Sequence, residues 1–202
     1  MQEVLGAAFF GLCAYVGVLL ASGISAQPYE DGPQPAQPPV ALLIAGAALL
    51  GAAVLHYDTS ARDLVIDAIA TCALVAVWCT DMRSGIVPDI FTLIPLAIVC
   101  GAALLEHNLW PVISAAVVAV PFAILAVLSK GVGMGWGDVK LAALGGAVVG
   151  APPALFMFSA GCLVAVIHAY ATGRARSPIA FAPYLAAGIG VAMPLVSMSR
   201  PV

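Results

Sequence analysis

Long apolar segments separated by short polar stretches dominate this sequence of 202 residues. The chain is 63% hydrophobic and only 8% charged, whereas a soluble domain carries about 25% charged residues. Its mean hydropathy is +1.09. Because a helix needs roughly 20 apolar residues to cross the hydrocarbon core of a bilayer, the sequence predicts an all-α polytopic membrane protein. The same composition excludes a soluble globular domain.

Eight apolar segments are candidate membrane helices, within a range of seven to nine. They cover about residues 4–24, 40–56, 63–80, 90–105, 109–128, 139–150, 152–172 and 179–198. The sixth segment is short and rich in glycine. The sequence therefore leaves open whether residues 139–150 cross the membrane fully or form a half-span.

The sizeable polar insert of the chain lies between the first two segments, at residues 25–39. Five prolines in this stretch predict an extended linker, since proline-rich chains do not pack into a folded module. We therefore expect one membrane-embedded domain over residues 1–202. The lipid bilayer is the partner that the hydropathy implies, and a net charge of −3 gives no reason to expect nucleic acid. The oligomeric state is not indicated.

The distribution of basic residues predicts the orientation. With eight spans, the loops of one side hold Arg83, Lys130, Lys140, Arg174 and Arg176, and the loops of the other hold Arg62 and Arg200. Short cytoplasmic loops carry the excess of Lys and Arg. The five-residue side, which includes the linker 25–39, is therefore predicted to face the cytoplasm.

Two aspartates stand at the edges of apolar segments. Asp81 closes the third segment, Asp138 opens the sixth, and two predicted spans between them return the chain to the same face. A carboxylate beside hydrocarbon is costly and marks a functional-site candidate. Two carboxylates that share a proton can serve as base toward water and as acid toward a carbonyl. Such a pair hydrolyses an amide without metal or cofactor, so we expect neither.

The residues around Asp138 support a role beyond helix capping. Gly133, Gly135 and Gly137 alternate before it, where they could admit a substrate backbone and adopt angles that other residues avoid. Lys140 is either an interfacial residue whose amine snorkels to water or a residue that steadies the charged site. For Asp138 the alternative interpretation is a helix N-cap.

Two further interpretations concern the loop after Asp81 and the ionisation of the pair. Asp89 is either functional or the N-cap of the fourth segment. Asp138 is predicted at a helix N-terminus, where the macrodipole favours a carboxylate, and Asp81 at a helix C-terminus, where it favours the neutral acid. On that basis Asp138 is predicted to activate water and Asp81 to polarise the carbonyl.

Three stretches together resemble the type IV prepilin peptidases, membrane aspartic peptidases of the GxGD class. They are Asp81 followed by Ile86–Asp89, GMGWGDVKL at 133–141, and PIAFAPYL at 178–185. The resemblance covers roughly residues 60–190 and implies that Asp81 and Asp138 are catalytic. It places Pro88, Asp89, Lys140, Pro183 and the three glycines in supporting or substrate-binding positions.

The resemblance also implies a substrate and a location. The family cleaves the short basic leader of pilin, pseudopilin or Flp-type precursors, after a glycine and before an apolar helix, at the cytoplasmic face of the inner membrane. Bifunctional members carry a zinc-binding CxxC insertion after the first span and methylate the cleaved pilin. Here the linker 25–39 takes that place and contains no cysteine, so N-methyltransferase activity is not expected.

Two alternatives belong to other classes. Presenilin-like and signal-peptide-peptidase-like enzymes also use GxGD, and this chain contains Tyr57-Asp58 and Pro153–Leu155. The first pair, however, begins a polar run, and the triplet lies only 15 residues after Asp138. A non-enzymatic membrane protein that moves protons or cations would instead place its aspartates near the bilayer midplane, at a break within a span.

Overall fold

The computed structural model describes residues 1–24, 36–57, 60–129, 134–173 and 177–199. Within these ranges it contains eight α-helices, a short 3-10 turn and no strand. The helices are α1 (Gln2–Ser22), α2 (Val40–Tyr57), α3 (Ala61–Ser84), α4 (Leu93–Leu105), α5 (Trp110–Leu128), α6 (Trp136–Val149), α7 (Ala151–Ala171) and α8 (Ala182–Ser199). The predicted all-α fold is confirmed.

Five helices, α1, α2, α3, α5 and α7, are long and apolar enough to cross a membrane. α8, and α4 together with the turn before it, are shorter apolar helices. Large apolar side chains such as Leu12, Phe156 and Ile167 are exposed on the outside of the bundle, where lipid chains take the place of water. The chain is a multi-pass membrane protein.

Helix α6 lies in the centre of the bundle. Its 14 residues extend roughly 21 Å at 1.5 Å per residue, which is less than the roughly 30 Å of a hydrocarbon core. Gly145 and Gly146 let neighbouring helices approach closely, because a Cβ atom at these positions would lie 2.7 Å from Phe158 and 2.6 Å from the carbonyl oxygen of Ser114. The sixth segment is therefore a short, buried helix.

The helix boundaries around the first aspartate differ from the prediction. α3 extends to Ser84, so Asp81 lies in its last turn. Gly85 ends the helix with a left-handed φ of 67°, and its N–H donates to the carbonyl oxygen of Asp81 at 2.8 Å. α4 begins only at Leu93, because a 3-10 turn over Asp89–Phe91 comes first.

The interpretation of Asp89 as the N-cap of the fourth helix is wrong. Pro88, with extended backbone, precedes the 3-10 turn, and Thr92 occupies the position before α4. Asp89 is itself the first residue of the turn. Its side chain is therefore available for contacts outside its own helix.

The connections bring three helix ends together. α4 and α5 carry the chain away from the end of α3 and back, and α6 and α7 repeat this, joined by Gly150 alone with a φ of 85°. The C-terminus of α3 and the N-termini of α6 and α8 consequently meet at one end of the bundle. The opposite end contains a cavity of about 320 Å³ lined in part by Arg62, Asn108 and Gly150.

Candidate active site

Asp81 is held by two helices. It lies in the last turn of α3 and is only 6% exposed. Its Oδ2 atom accepts a hydrogen bond from the backbone N–H of Ala182, at 3.1 Å. Ala182 is the first residue of α8, and the first N–H groups of a helix have no partner within the helix. The start of α8 thus supplies the donor that orients this carboxylate.

Asp138 is the third residue of α6 and is 9% exposed. The residue before the helix is Gly135, so the interpretation of Asp138 as the N-cap is wrong. Its Oδ2 atom accepts a hydrogen bond from the Gly135 N–H at 3.3 Å, and its own N–H donates to the Gly135 carbonyl at 3.1 Å. This reciprocal pair closes the first turn of α6 and fixes the carboxylate, as the acidic residue of a capping box does.

The two carboxyl groups lie close enough to interact electrostatically. They belong to different helices, and the two aspartates are 57 positions apart in the sequence (138 − 81). Each carboxylate lies at a helix N-terminus, Asp138 at that of α6 and Asp81 at that of α8. At Asp81 the macrodipole of α8 therefore opposes that of α3, and the assignment of Asp138 as the base and Asp81 as the acid stays a prediction.

Asp89 and Lys140 form an ion pair at the margin of this site. Lys140 lies two residues after Asp138 on α6, and Asp89 begins the 3-10 turn that follows α3. Of the two interpretations of Lys140, this contact favours the one that places it with the charged site.

The structure gives one of the glycines before Asp138, Gly137, a packing role that the sequence did not predict. Gly135 has a φ of −79° and Gly137 is helical, so neither adopts an angle reserved for glycine, and that part of the prediction is wrong. A Cβ atom on Gly137 would lie 2.6 Å from the Cβ atom of Val87. Gly137 thus makes room for Val87. Gly133 lies outside the described residues.

Comparison with known protein families identifies the family to which the chain belongs. Residues 68–170, half of the chain, match the model of the type IV leader peptidase family. The chain belongs to the type IV leader peptidase family. Neither a curated protein nor a solved structure matches it. Family membership makes the chain a peptidase, and the matched range contains both Asp81 and Asp138.

Two prolines shape the backbone of this leader peptidase near the site. Pro183 is the second residue of α8, beside the Ala182 donor. Proline is tolerated in the first turn of a helix because the N–H that it lacks would have no partner there. Pro88 is the residue with extended backbone that comes directly before the 3-10 turn, and Asp89 is the first residue of that turn. Both prolines define the backbone of segments that contact the site.

Sequence reasoning missed three residues of this leader peptidase site. Gly85 could have been found, because a glycine directly after an apolar helix is a common C-cap. Ala182 and Val87 carry no such signal, because one contributes a backbone N–H and the other an apolar contact. In the described part of the chain, no group of three or more His, Cys, Asp or Glu could hold a metal ion.

Proposed function

We propose that this chain is an aspartic endopeptidase that removes the leader peptide from type IV prepilin-like precursors. The substrates are pilin, pseudopilin or Flp-type precursors, and cleavage takes place at the cytoplasmic face of the inner membrane. The proposal rests above all on one observation: two buried carboxylates from different helices, Asp81 and Asp138, lie close enough to interact. Membership of a leader peptidase family supports it.

The geometry suggests how the pair would act. Two like charges held close together in a poorly solvated site disfavour double ionisation, so one proton is shared between them. The ionised carboxyl group takes a proton from water, and the protonated one donates to the carbonyl oxygen of the scissile amide. Backbone N–H groups of Ala182 and Gly135 keep both carboxyl groups oriented throughout.

The proposed orientation follows from the charges at the two ends of the bundle. Arg83 and Lys140 lie at the end that contains the two aspartates, and Arg62 lies at the other. This distribution supports a cytoplasmic site, since Lys and Arg concentrate in cytoplasmic loops. A basic leader would then stay in the cytoplasm while the apolar helix that follows it lies in the bilayer beside the site.

Neither alternative function is favoured by a specific observation. Pro153–Leu155 lie near the start of α7, at the end of α6 that is remote from Asp138, and Asp58 lies outside the described residues. A proton- or cation-moving protein would carry its aspartates at a break within a span. Here Asp81 is in the last turn of α3 and Asp138 in the first turn of α6.

Cleavage of a defined precursor tests the proposal. The purified protein in detergent is incubated with candidate prepilins, and the new N-terminus of each product is mapped by mass spectrometry. We expect a single cut between the basic leader and the apolar helix, and the Asp138→Asn variant should make this cut about 100- to 10,000-fold more slowly. Cleavage at scattered sites, or equal cleavage by the variant, would contradict the proposal.

A second arm of the same experiment adds labelled S-adenosylmethionine to the cleaved pilin. We expect no methyl transfer, because residues 25–39 contain none of the cysteines that the zinc-binding insertion requires. An N-methylated product from the purified chain would contradict the interpretation of this segment as a linker.

A further inference from the structure

The connection after α3 crosses the first turn of α6 and touches it at two points. We name Val87, Pro88 and Asp89 the strap. Val87 packs against Gly137, and Asp89 pairs with Lys140. Residues three apart on a helix lie on the same face, so the strap runs along one face of the first turn of α6.

Asp138 lies on a different face of the same turn. Successive residues of an α-helix are rotated by about 100°, since 3.6 residues complete a turn. Asp138 follows Gly137 directly, and its buried carboxylate interacts with Asp81. The strap therefore holds one side of the turn while the carboxylate is presented on another.

The strap is also the direct continuation of the helix that carries Asp81. The N–H of Gly85, the residue that ends α3, donates a hydrogen bond to the carbonyl oxygen of Asp81. Val87 follows two residues later. One short stretch of chain consequently connects the backbone of Asp81 to the turn that carries Asp138. A shift of the strap along α6 would change the spacing between the two carboxyl groups.

The Asp89–Lys140 pair is poorly placed to stabilise the fold. The side chain of Asp89 is 60% exposed and that of Lys140 is 30% exposed, and exposed ion pairs contribute little to stability. Catalysis is far more sensitive to position, because a misplacement of about 1 Å can lower a rate about 100-fold. A weak contact at this location can therefore matter for the reaction more than for folding.

We propose that the Asp89–Lys140 ion pair is a positioning device that fixes the spacing between Asp81 and Asp138. Asp89 and Lys140 are positioning residues that act through the strap and through α6, without touching the scissile bond. This inference rests on the proposed function, since it assigns a role within the same carboxylate pair.

Charge reversal tests the inference. Asp89→Lys, Lys140→Asp and the double variant are compared for kcat and KM in prepilin cleavage and for the thermal unfolding midpoint. We expect each single variant to lose about 100-fold in kcat, with KM and the midpoint nearly unchanged. The double variant, in which the pair is restored with reversed polarity, should recover to within about 10-fold of wild type.

A matched ion pair at the other end of the bundle provides the control. Arg62 and Glu106 lie 2.8 Å apart and are also partly exposed. The Arg62→Glu, Glu106→Arg and doubly reversed variants should keep wild-type kcat. A loss of activity in them equal to that in the Asp89 and Lys140 variants would overturn the inference.

A readout that does not require peptidase activity separates this inference from the proposed function. In a background without the native cysteines, the rate of disulfide formation in the Asp81→Cys/Asp138→Cys pair reports the spacing of the two positions. Lys140→Asp should change this rate, and adding Asp89→Lys should restore it. An unchanged rate would overturn the inference even if cleavage is confirmed. A rise in KM at constant kcat, or activity loss that follows the unfolding midpoint, would do the same.

Discussion

The two ends of the helix bundle contain similar chemical groups in different arrangements. Each end has a buried aspartate on α3, Asp81 at one and Asp67 towards the other, and each has an ion pair between a helix and a residue that lies outside the α-helices. Among the residues that the structure describes, a second buried carboxylate from another helix, that of Asp138, lies near Asp81. Burial or ion pairing alone therefore does not mark the candidate site. What marks the candidate site is a pair of buried carboxyl groups that lie close together.

Replacing the paired aspartates should produce the largest effect. Asp81→Asn and Asp138→Asn each remove a group that exchanges a proton in the proposed reaction, and such groups contribute about 100- to 10,000-fold. Asp67→Asn is the matched control, because Asp67 is on the same helix, is only 2% exposed, and lies roughly 21 Å from Asp81 along the helix axis. The rate of leader cleavage per folded molecule should fall in the first two variants and stay unchanged in the third.

An equal loss of activity in all three variants would remove the distinction between the two ends. It would indicate that a buried aspartate affects cleavage even when it lies far from the candidate site. Near-normal cleavage by either Asp81→Asn or Asp138→Asn would contradict the proposed mechanism, which requires both carboxyl groups.

Filling the space at Gly137 should have the next largest effect. In Gly137→Ala the new methyl group would meet Val87 at 2.6 Å, and overpacking of this kind costs about 1–3 kcal/mol. Because the clash lies one residue from Asp138, we expect cleavage to fall about 10- to 100-fold. Cleavage kinetics and thermal unfolding of the purified variant measure the two effects.

Two companion variants sharpen this prediction. Gly135→Ala should be mild, because a methyl group there meets the Asp138 carboxylate at 3.7 Å and the Gly137 nitrogen at 3.9 Å, which are ordinary contact distances. Adding Val87→Gly to Gly137→Ala should recover much of the lost activity. If the double variant is as slow as Gly137→Ala alone, the space at Gly137 serves something other than Val87, such as an approaching substrate.

A smaller effect is expected at the end of α3. Gly85 has a φ of 67°, and a side chain in that conformation costs about 1–2 kcal/mol. Gly85→Ala should therefore lower the free energy of unfolding by this amount and reduce cleavage less than Gly137→Ala. Gly101→Ala is the control, since this glycine lies within α4 with no atom within 4 Å of a new Cβ, and it should be neutral or slightly stabilising.

The smallest effect should come from the far end of the bundle. Glu106→Gln breaks the exposed contact with Arg62, and such pairs are worth about 0–1 kcal/mol. Leader cleavage should remain at the wild-type rate, as a kinetic assay of the purified variant would show. A clear loss of cleavage would mean that the two ends are coupled.

The sequence predicted the fold and pointed to the two aspartates as candidate site residues because both inferences depend on strong, local signals. Apolar length predicts membrane helices, and a carboxylate at the edge of such a segment is rare enough to stand out. Asp81 and Asp138 could also be placed on one face by counting the two spans between them. Helix ends were less predictable: the apolar segment stops at Thr80, whereas α3 continues through polar residues to Ser84.

The partners of the aspartates could not be predicted in the same way. Ala182 acts through its backbone N–H, 101 positions from Asp81, and any residue except proline carries that group. Val87 contacts Gly137 through packing between segments that are 50 positions apart (137 − 87). Such contacts depend on how the helices pack together, and neither the periodicity nor the composition of the sequence predicts them.

The proposal that Asp81 and Asp138 act as one unit can be tested with the double variant Asp81→Asn/Asp138→Asn. Its single-turnover rate of leader cleavage, with enzyme in excess, is compared with the rates of the two single variants. Residues that act as a unit are strongly non-additive, so the double variant should be no slower than the slower single variant. If its loss instead equals the product of the two single losses, the carboxyl groups contribute independently and the shared-proton mechanism is contradicted.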